Sequence, residues 1–158
     1  MRRLTRLHAS GRASDLDLAP DEAWARLVAA GPDRHWYVDA APFVVRGALD
    51  RAVGGAGRGW PVPDHGHLRV GDRAGFWEVR VADPRARRLV LEAAVRAPGT
   101  VRLTSRVLPR IPGGSTLRQT ISFEPGGLVG SAYLLVDLPA RELVAELAHR
   151  DTVAEVAR

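Results

Sequence analysis

Four segments in the middle of the chain have strand composition and are separated by short connections rich in proline and glycine. They cover residues 74–82, 88–96, 100–108 and 116–123. One set of alternate positions in the last two is almost entirely apolar: Val101, Leu103, Ser105 and Val107, then Leu117, Gln119, Ile121 and Phe123. Alternate residues of a strand point to opposite faces, and connections this short join antiparallel neighbours. The pattern therefore predicts an antiparallel sheet with one apolar and one polar face.

The residues before this sheet predict a strand, two helices and a loop. Residues 3–10 alternate and are typical of a strand. Residues 18–28 and 43–53 have helical spacing, with Pro20 at a favoured first helical position. Residues 36–38 form a short extended piece between them. Residues 54–66 are rich in glycine and proline and predict a long loop, which could form a rim or a lid.

The chain from Leu128 onward is predicted to be helical. Its first part is apolar on nearly all sides, which predicts deep burial, and Pro139 is expected to kink or break the helix. A curved sheet needs a cover for its apolar face, and this helix is the candidate. The expected fold is α+β, with a single domain over residues 1–158. A curved antiparallel sheet of about six strands grips the long C-terminal helix, and two short helices follow strand 1.

The basic residues exclude several kinds of site. All 23 of them are arginines, and cysteine is absent too. Thiol nucleophiles, thiolate metal sites and Schiff-base lysines are therefore excluded. The arginines are scattered singly, which favours a solvated surface over a nucleic-acid patch. Arginine in place of lysine, with many alanines and glycines, is typical of a GC-rich genome. No stretch of about 18 apolar residues predicts membrane insertion, so a cytoplasmic protein is expected.

No motif predicts a catalytic residue, a metal or a cofactor. His65 and His67 could lie on one side of a strand as metal ligands do, but no third ligand is visible and surface histidines are favoured. A Ser-His-Asp triad can assemble from distant positions. However, no serine lies in a G-x-S-x-G motif, and Ser105 is interpreted as a small core residue.

Gln119 occupies an inward position between Leu117 and Ile121. A buried amide must find hydrogen-bond partners or destabilise the fold by about 1–3 kcal/mol. One interpretation is a core hydrogen bond to a loop backbone. The other is a polar anchor for a ligand in an apolar pocket. The sequence does not decide between them.

Several short stretches occur in a characteristic order and spacing between residues 36 and 140. They are Arg46-Gly-Ala-Leu-Asp50, Gly54-Gly-Ala-Gly57, Leu68-Arg-Val-Gly-Asp72, Phe76-Trp77-Glu-Val79, Pro98-Gly99, Gln119-Thr120, Phe123-Glu-Pro-Gly-Gly-Leu128, Gly130 to Tyr133 and Leu138-Pro139. In these stretches the chain resembles domain-of-unknown-function family 2867, and its element order resembles the START-like, or SRPBCC, helix-grip superfamily. Arg141 stands where the family usually has a histidine.

The resemblance implies a fold and a pocket rather than an activity. In helix-grip proteins aromatic residues line an internal cavity. The family often follows an NAD-binding reductase-like domain, whose G-x-G-x-x-G fingerprint does not open this chain. Association with a separate reductase-like protein is one partner that this implies, and oligomeric state is left open. The expected ligand-binding residues are Trp36, Arg46, Trp77, Gln119 and Tyr133. Arg46 is expected to pair with Asp50 four residues on, or to meet an acidic ligand group.

Three functions remain open. The favoured one is binding of a small, largely apolar molecule in the internal cavity, without catalysis. The alternative is a polyketide-cyclase-like, dehydratase or isomerase activity on a hydrophobic metabolite in the same cavity, which needs an inward acid or base such as His35, Asp39 or Asp50. A protein-interaction module would instead expose an apolar patch.

Overall fold

The fold is known from a computed structural model. It describes residues 2–6, 8–33, 35–40, 42–44, 52, 61–94 and 99–158, with only the backbone described for residues 2–6 and 127–140. Several sequence predictions therefore lie outside the described residues: Arg46, Asp50, the Tyr133 side chain, most of the helix expected over residues 43–53 and most of the loop over residues 54–66.

Within the described residues, seven strands form one curved, open antiparallel sheet in the order β1-β2-β7-β6-β5-β4-β3. The strands are β1 (Arg2–Arg6), β2 (Ala9–Leu16), β3 (Arg73–Ala74), β4 (Trp77–Asp83), β5 (Arg88–Ala93), β6 (Gly99–Pro109) and β7 (Ser115–Pro125). The predicted α+β class and antiparallel sheet are confirmed. Strands β1 and β2 form a hairpin at the N-terminus. This hairpin adjoins the last strand of the chain, since β2 pairs with β7 over its whole length.

In β6 and β7 the alternate apolar positions lie together on one face of the sheet, as the sequence predicts. Leu103 pairs with Ile121, Ser105 with Gln119 and Val107 with Leu117, and all six side chains are buried. Arg106 and Arg118, which alternate with these positions, pair on the exposed face. The inner face of the sheet therefore follows directly from the period of two.

Two sequence predictions near the N-terminus are wrong. The strand expected over residues 3–10 is a hairpin of β1 and β2. The inner positions of β2 include Arg12 and Ser14, so its alternation lacks the apolar face that identifies a half-buried strand. Residues 36–38, expected to be extended, belong to helix α2 (Trp36–Asp39). The Asp39 carboxylate accepts a hydrogen bond from the His35 backbone N–H at 3.0 Å and stabilises this single turn.

Two further helices cover the inner face. Helix α1 (Pro20–Leu27) begins at a proline and carries Asp21 and Glu22 in its first turn, as its sequence predicts. Helix α3 (Gly127–Val156) packs against β2 and β7 and against α1 and α2. It continues through Pro139 and is not broken there. No helix among the described residues is long and apolar enough to cross a membrane.

Candidate functional site

Three aromatic side chains line the β4 side of the inner face. Trp77 lies 4.7 Å from Phe76 and 5.3 Å from Phe43 between ring centroids, and Phe43 lies 5.7 Å from Phe76. We call Phe43, Phe76 and Trp77 the aromatic cluster; all three are almost completely buried. The next inward residues, Val79 on β4 and its partner Leu91 on β5, are also buried. This part of the inner face is therefore apolar.

One polar atom of the aromatic cluster has no partner. The indole nitrogen Nε1 of Trp77 is buried and makes no hydrogen bond within the part of the chain that the structure describes. An indole N–H is a donor only, and buried donors in folded proteins are nearly always paired. Trp77 therefore offers one unused donor in an apolar environment.

Trp36, by contrast, uses its donor inside the fold. Its Nε1 donates to the Leu27 carbonyl at 3.0 Å, and the neighbouring Tyr37 hydroxyl donates to the Ala29 carbonyl at 2.8 Å. These two bonds tie α2 to the end of α1. Burial, with the nearby charge of Glu155, raises the pKa of Tyr37. The phenol therefore stays protonated at neutral pH and can keep donating.

A chain of four polar side chains crosses from β6 to α3. Gln119 Nε2 donates to Ser105 Oγ at 3.0 Å, and Gln119 Oε1 lies 2.9 Å from His149 Nδ1. His149 Nε2 then lies 2.9 Å from Ser14 Oγ on β2. Neither interpretation of Gln119 anticipated side-chain partners at both ends of its amide. We call Ser105, Gln119, His149 and Ser14 the hydroxyl–imidazole chain.

The direction of these bonds follows from Gln119. Because its nitrogen donates to Ser105, its oxygen faces His149, and His149 must carry its proton on Nδ1. His149 Nε2 then accepts the hydroxyl proton of Ser14. Burial lowers the pKa of His149 to about 4; nearby Glu146 opposes this effect and Arg12 adds to it. The imidazole is therefore neutral at neutral pH.

A cluster of charged side chains adjoins the hydroxyl–imidazole chain. The Arg12 side chain is 3% exposed and binds Glu146 through Nε at 2.8 Å and Glu142 through Nη2 at 2.9 Å. Its guanidinium also donates to the backbone carbonyls of Gly11 and Glu142. Arg141 is also buried and donates to Ser10 Oγ at 3.1 Å. Both arginines join α3 to β2.

A cleft opens to solvent beside His149. Its volume is about 340 Å³, and its walls are mainly apolar. Five residues line it: Ser14, His149, Arg150, Val153 and Ala154. Arg150 is largely exposed and pairs with Glu146 at 2.9 Å. The end of the hydroxyl–imidazole chain therefore faces a space that a small molecule can enter.

One of the two loop histidines lies beside an aspartate. His65 Nε2 lies 3.1 Å from a carboxylate oxygen of Asp72, and the rings of His65 and His67 are 6.4 Å apart. The described residues contain no group of three histidine, cysteine or acidic side chains that could hold a metal ion.

The structure describes three of the five predicted ligand-binding residues. Trp77 and Gln119 both face inward, but three strand spacings separate β4 from β7, about 14 Å. They therefore lie in different environments, one aromatic and one polar. Arg46 and the Tyr133 side chain lie outside the described residues. The sequence reasoning missed Arg12, Ser14 and His149. The available signal was the alternation of Ser10, Arg12 and Ser14, which marks a strand with a polar inner face.

The chain is similar in sequence to one family and in fold to several solved structures. A family model described as "Protein of unknown function (DUF2867)" matches residues 7–148. No curated protein matches the chain.

Truncated norcoclaurine synthase from Thalictrum flavum has a TM-score of 0.54 at 10% identity, covering 99% of this chain and 95% of that one. The same enzyme in complex with dopamine and hydroxybenzaldehyde has a TM-score of 0.53 at 10% identity, with coverage of 98% and 87%. Zhui aromatase/cyclase from Streptomyces sp. R1128 has a TM-score of 0.46 at 15% identity, with coverage of 94% and 92%. At these identities the similarity concerns the fold alone.

Proposed function

The chain belongs to the DUF2867 family of proteins of unknown function, and we propose that this member binds a small, largely apolar molecule against the inner face of its sheet. The ligand lies on the aromatic cluster and presents one oxygen acceptor to Trp77. Trp36, Arg46, Gln119 and Tyr133 complete the proposed lining.

The unused indole N–H of Trp77 carries this proposal. A buried donor without an acceptor destabilises a fold by about 1–3 kcal/mol. Phe43, Phe76, Val79 and Leu91 around it are apolar. A bound molecule with a carbonyl or hydroxyl oxygen would satisfy the donor and bury its own apolar surface against these side chains.

The similar fold of norcoclaurine synthase supports an aromatic ligand. The structure of that enzyme is described in complex with dopamine and hydroxybenzaldehyde, two small aromatic molecules with oxygen substituents. We therefore choose hydroxybenzaldehyde as the first probe for this chain.

The test compares two tryptophan variants. Trp77→Phe keeps an aromatic ring and removes the donor, whereas Trp24→Phe changes a half-buried tryptophan on α1, away from the aromatic cluster. Hydroxybenzaldehyde binding is followed by calorimetry, and co-purifying ligands by native mass spectrometry. Loss of one hydrogen bond of about 0.5–1.5 kcal/mol weakens binding about 2- to 12-fold. We expect this loss in Trp77→Phe and unchanged binding in Trp24→Phe. Equal affinities in all three proteins, or a bare protein mass together with no probe binding, would contradict the proposal.

One observation favours a second candidate, a cyclase-like enzyme acting in the same cavity. His35 is buried, stacks on Tyr37 at 5.2 Å, and has no partner for its Nε2 among the described residues. Such an imidazole could exchange a proton with a ligand. His35→Gln should then abolish turnover of an aromatic aldehyde while leaving its binding intact.

The third candidate function, a protein-interaction module, has less support from the described residues. The large apolar side chains exposed within the described ranges are Val44, Val70, Ile111 and Leu143, and they come from four separate segments. Association with a reductase-like protein remains a proposal. Co-elution of this chain with such a protein on size exclusion tests it.

A further inference from the structure

We propose that Ser14, His149 and Gln119 form a nucleophile–base–orienting triad that hydrolyses small apolar esters in the cleft beside α3. This site is separate from the aromatic cluster and shares only Gln119 with the proposed ligand lining, and it would act whether or not the aromatic cluster binds a ligand.

The three side chains have the geometry that nucleophilic catalysis requires. A serine hydroxyl is activated when a base lies within hydrogen-bond distance and a third group holds that base in the correct tautomer. Here the Ser14 Oγ to His149 Nε2 distance is 2.9 Å, and the His149 Nδ1 to Gln119 Oε1 distance is also 2.9 Å. Ser105 fixes the third group, because it accepts from Gln119 Nε2 at 3.0 Å. Ser105 therefore holds the Gln119 amide with its oxygen toward His149.

Contact with an open cleft distinguishes the hydroxyl–imidazole chain from a polar network that is closed inside the core. His149 is 1% exposed, yet both His149 and Ser14 line the open cleft of about 340 Å³. Val153 and Ala154 give the cleft an apolar wall that suits a short acyl chain, and Arg150 also lines it. The geometry thus selects an uncharged ester with a short apolar acyl group.

The reaction needs only water as a second reactant. Ser14 Oγ forms a bond to the ester carbonyl carbon while its proton passes to His149 Nε2. The carbon–oxygen bond to the alcohol then breaks, and His149 returns the proton to the leaving oxygen. Water attacks the resulting acyl-serine, His149 accepts and returns its proton, and the free acid and Ser14 are regenerated. Ser14 and His149 are the catalytic residues, and Gln119 is a positioning residue.

The first test measures hydrolysis of p-nitrophenyl butyrate by the full chain. Ser14→Ala and His149→Gln should each reduce kcat at least about 100-fold, since general-base catalysis contributes about 10²–10⁴-fold. Ser122→Ala is the matched control, because Ser122 is half-buried like Ser14 but lies on the opposite face of the sheet. Far-ultraviolet circular dichroism and urea midpoints show whether each variant is folded. A folded Ser14→Ala protein with the wild-type rate would overturn the proposal.

The second test is covalent and does not depend on choosing the correct substrate. A fluorophosphonate reagent should add one phosphonyl group to Ser14, located by peptide mass mapping, and none to Ser14→Ala. Labelling elsewhere, or no labelling of a folded wild-type protein, means that the hydroxyl–imidazole chain is purely structural.

Gln119 needs a measurement that a structural role would not affect. Gln119→Glu keeps an oxygen acceptor for His149 Nδ1 and should retain most of kcat. Gln119→Leu removes it and should lower kcat without changing KM. Equal kcat values in these two folded variants would exclude the positioning role.

Discussion

Replacing Arg12 tests whether the charged cluster holds α3 on the sheet. Arg12→Met keeps a side chain of similar length but removes the guanidinium that bridges Glu142 and Glu146. The two carboxylates then lose their shared buried cation, although Glu146 keeps its ion pair with the largely exposed Arg150. Removing one partner from a buried ion pair destabilises a protein by about 3–5 kcal/mol.

The solvent exposure of the two glutamates sets the expected loss of folding stability. The Glu142 and Glu146 side chains are 27% and 12% exposed, so water reaches both carboxylates after the substitution. We therefore expect the lower limit, about 3 kcal/mol. For a chain of this length each kcal/mol lowers the midpoint of thermal unfolding by about 2–4 °C. Arg12→Met should accordingly lower the midpoint by about 6–12 °C.

Arg80 provides a matched control. It also contacts two glutamates, Glu78 and Glu92, but its side chain is 46% exposed. Exposed ion pairs contribute little to stability, so Arg80→Met should leave the midpoint nearly unchanged. Urea unfolding followed by circular dichroism measures both variants. A double variant, Arg12→Met with Glu146→Gln, should recover at least about 1 kcal/mol because the two residues are coupled. Equal losses in the two methionine variants, or strict additivity in the double variant, would refute the reasoning.

Two further predictions concern pH and backbone conformation. Because the folded-state pKa of His149 is about 4, below its ordinary value of 6.5, the unfolded state binds the extra proton between these values. This contribution to stability is complete above about pH 6.5 and is lost as the pH falls toward 4, so the wild type should lose about 2 kcal/mol between pH 7.5 and 5. Urea unfolding should show a smaller loss in His149→Gln; equal losses would exclude this assignment. Gly114 has a φ of +80°, and a Cβ there would meet the Leu16 carbonyl, whereas a Cβ at Gly113 meets nothing. Gly114→Ala should therefore destabilise the protein by about 1–3 kcal/mol and Gly113→Ala by much less, and similar urea midpoints for the two would contradict this.

The sheet could be predicted from the sequence because its inner positions repeat with a simple period. Leu103, Val107, Leu117 and Ile121 form an apolar face that only a strand presents in this register, and Gln119 was assigned inward on the same basis. Helix α1 was equally visible, since Pro20 marks its start.

The candidate catalytic site could not be predicted in the same way. Ser14 and His149 are 135 positions apart, and neither lies in a recognisable motif. Strand β2 was missed because its inward residues Ser10, Arg12 and Ser14 are polar, and their partners come from a helix far along the chain. Helix α2 depends on a side-chain contact of Asp39 that periodicity does not reveal.

The pairing of β2 with β7 also has a consequence for the order of events during synthesis. Residues 9–16 reach their partner only after residues 115–125 have been made. At about 5–20 residues per second, the N-terminal hairpin waits about 5–20 seconds for the strand that completes its sheet. During that interval the serines and the arginine on the inward side of β2 are in contact with water. We therefore expect the polar inner face that later contacts α3 to disfavour association of the unpaired hairpin with other nascent chains.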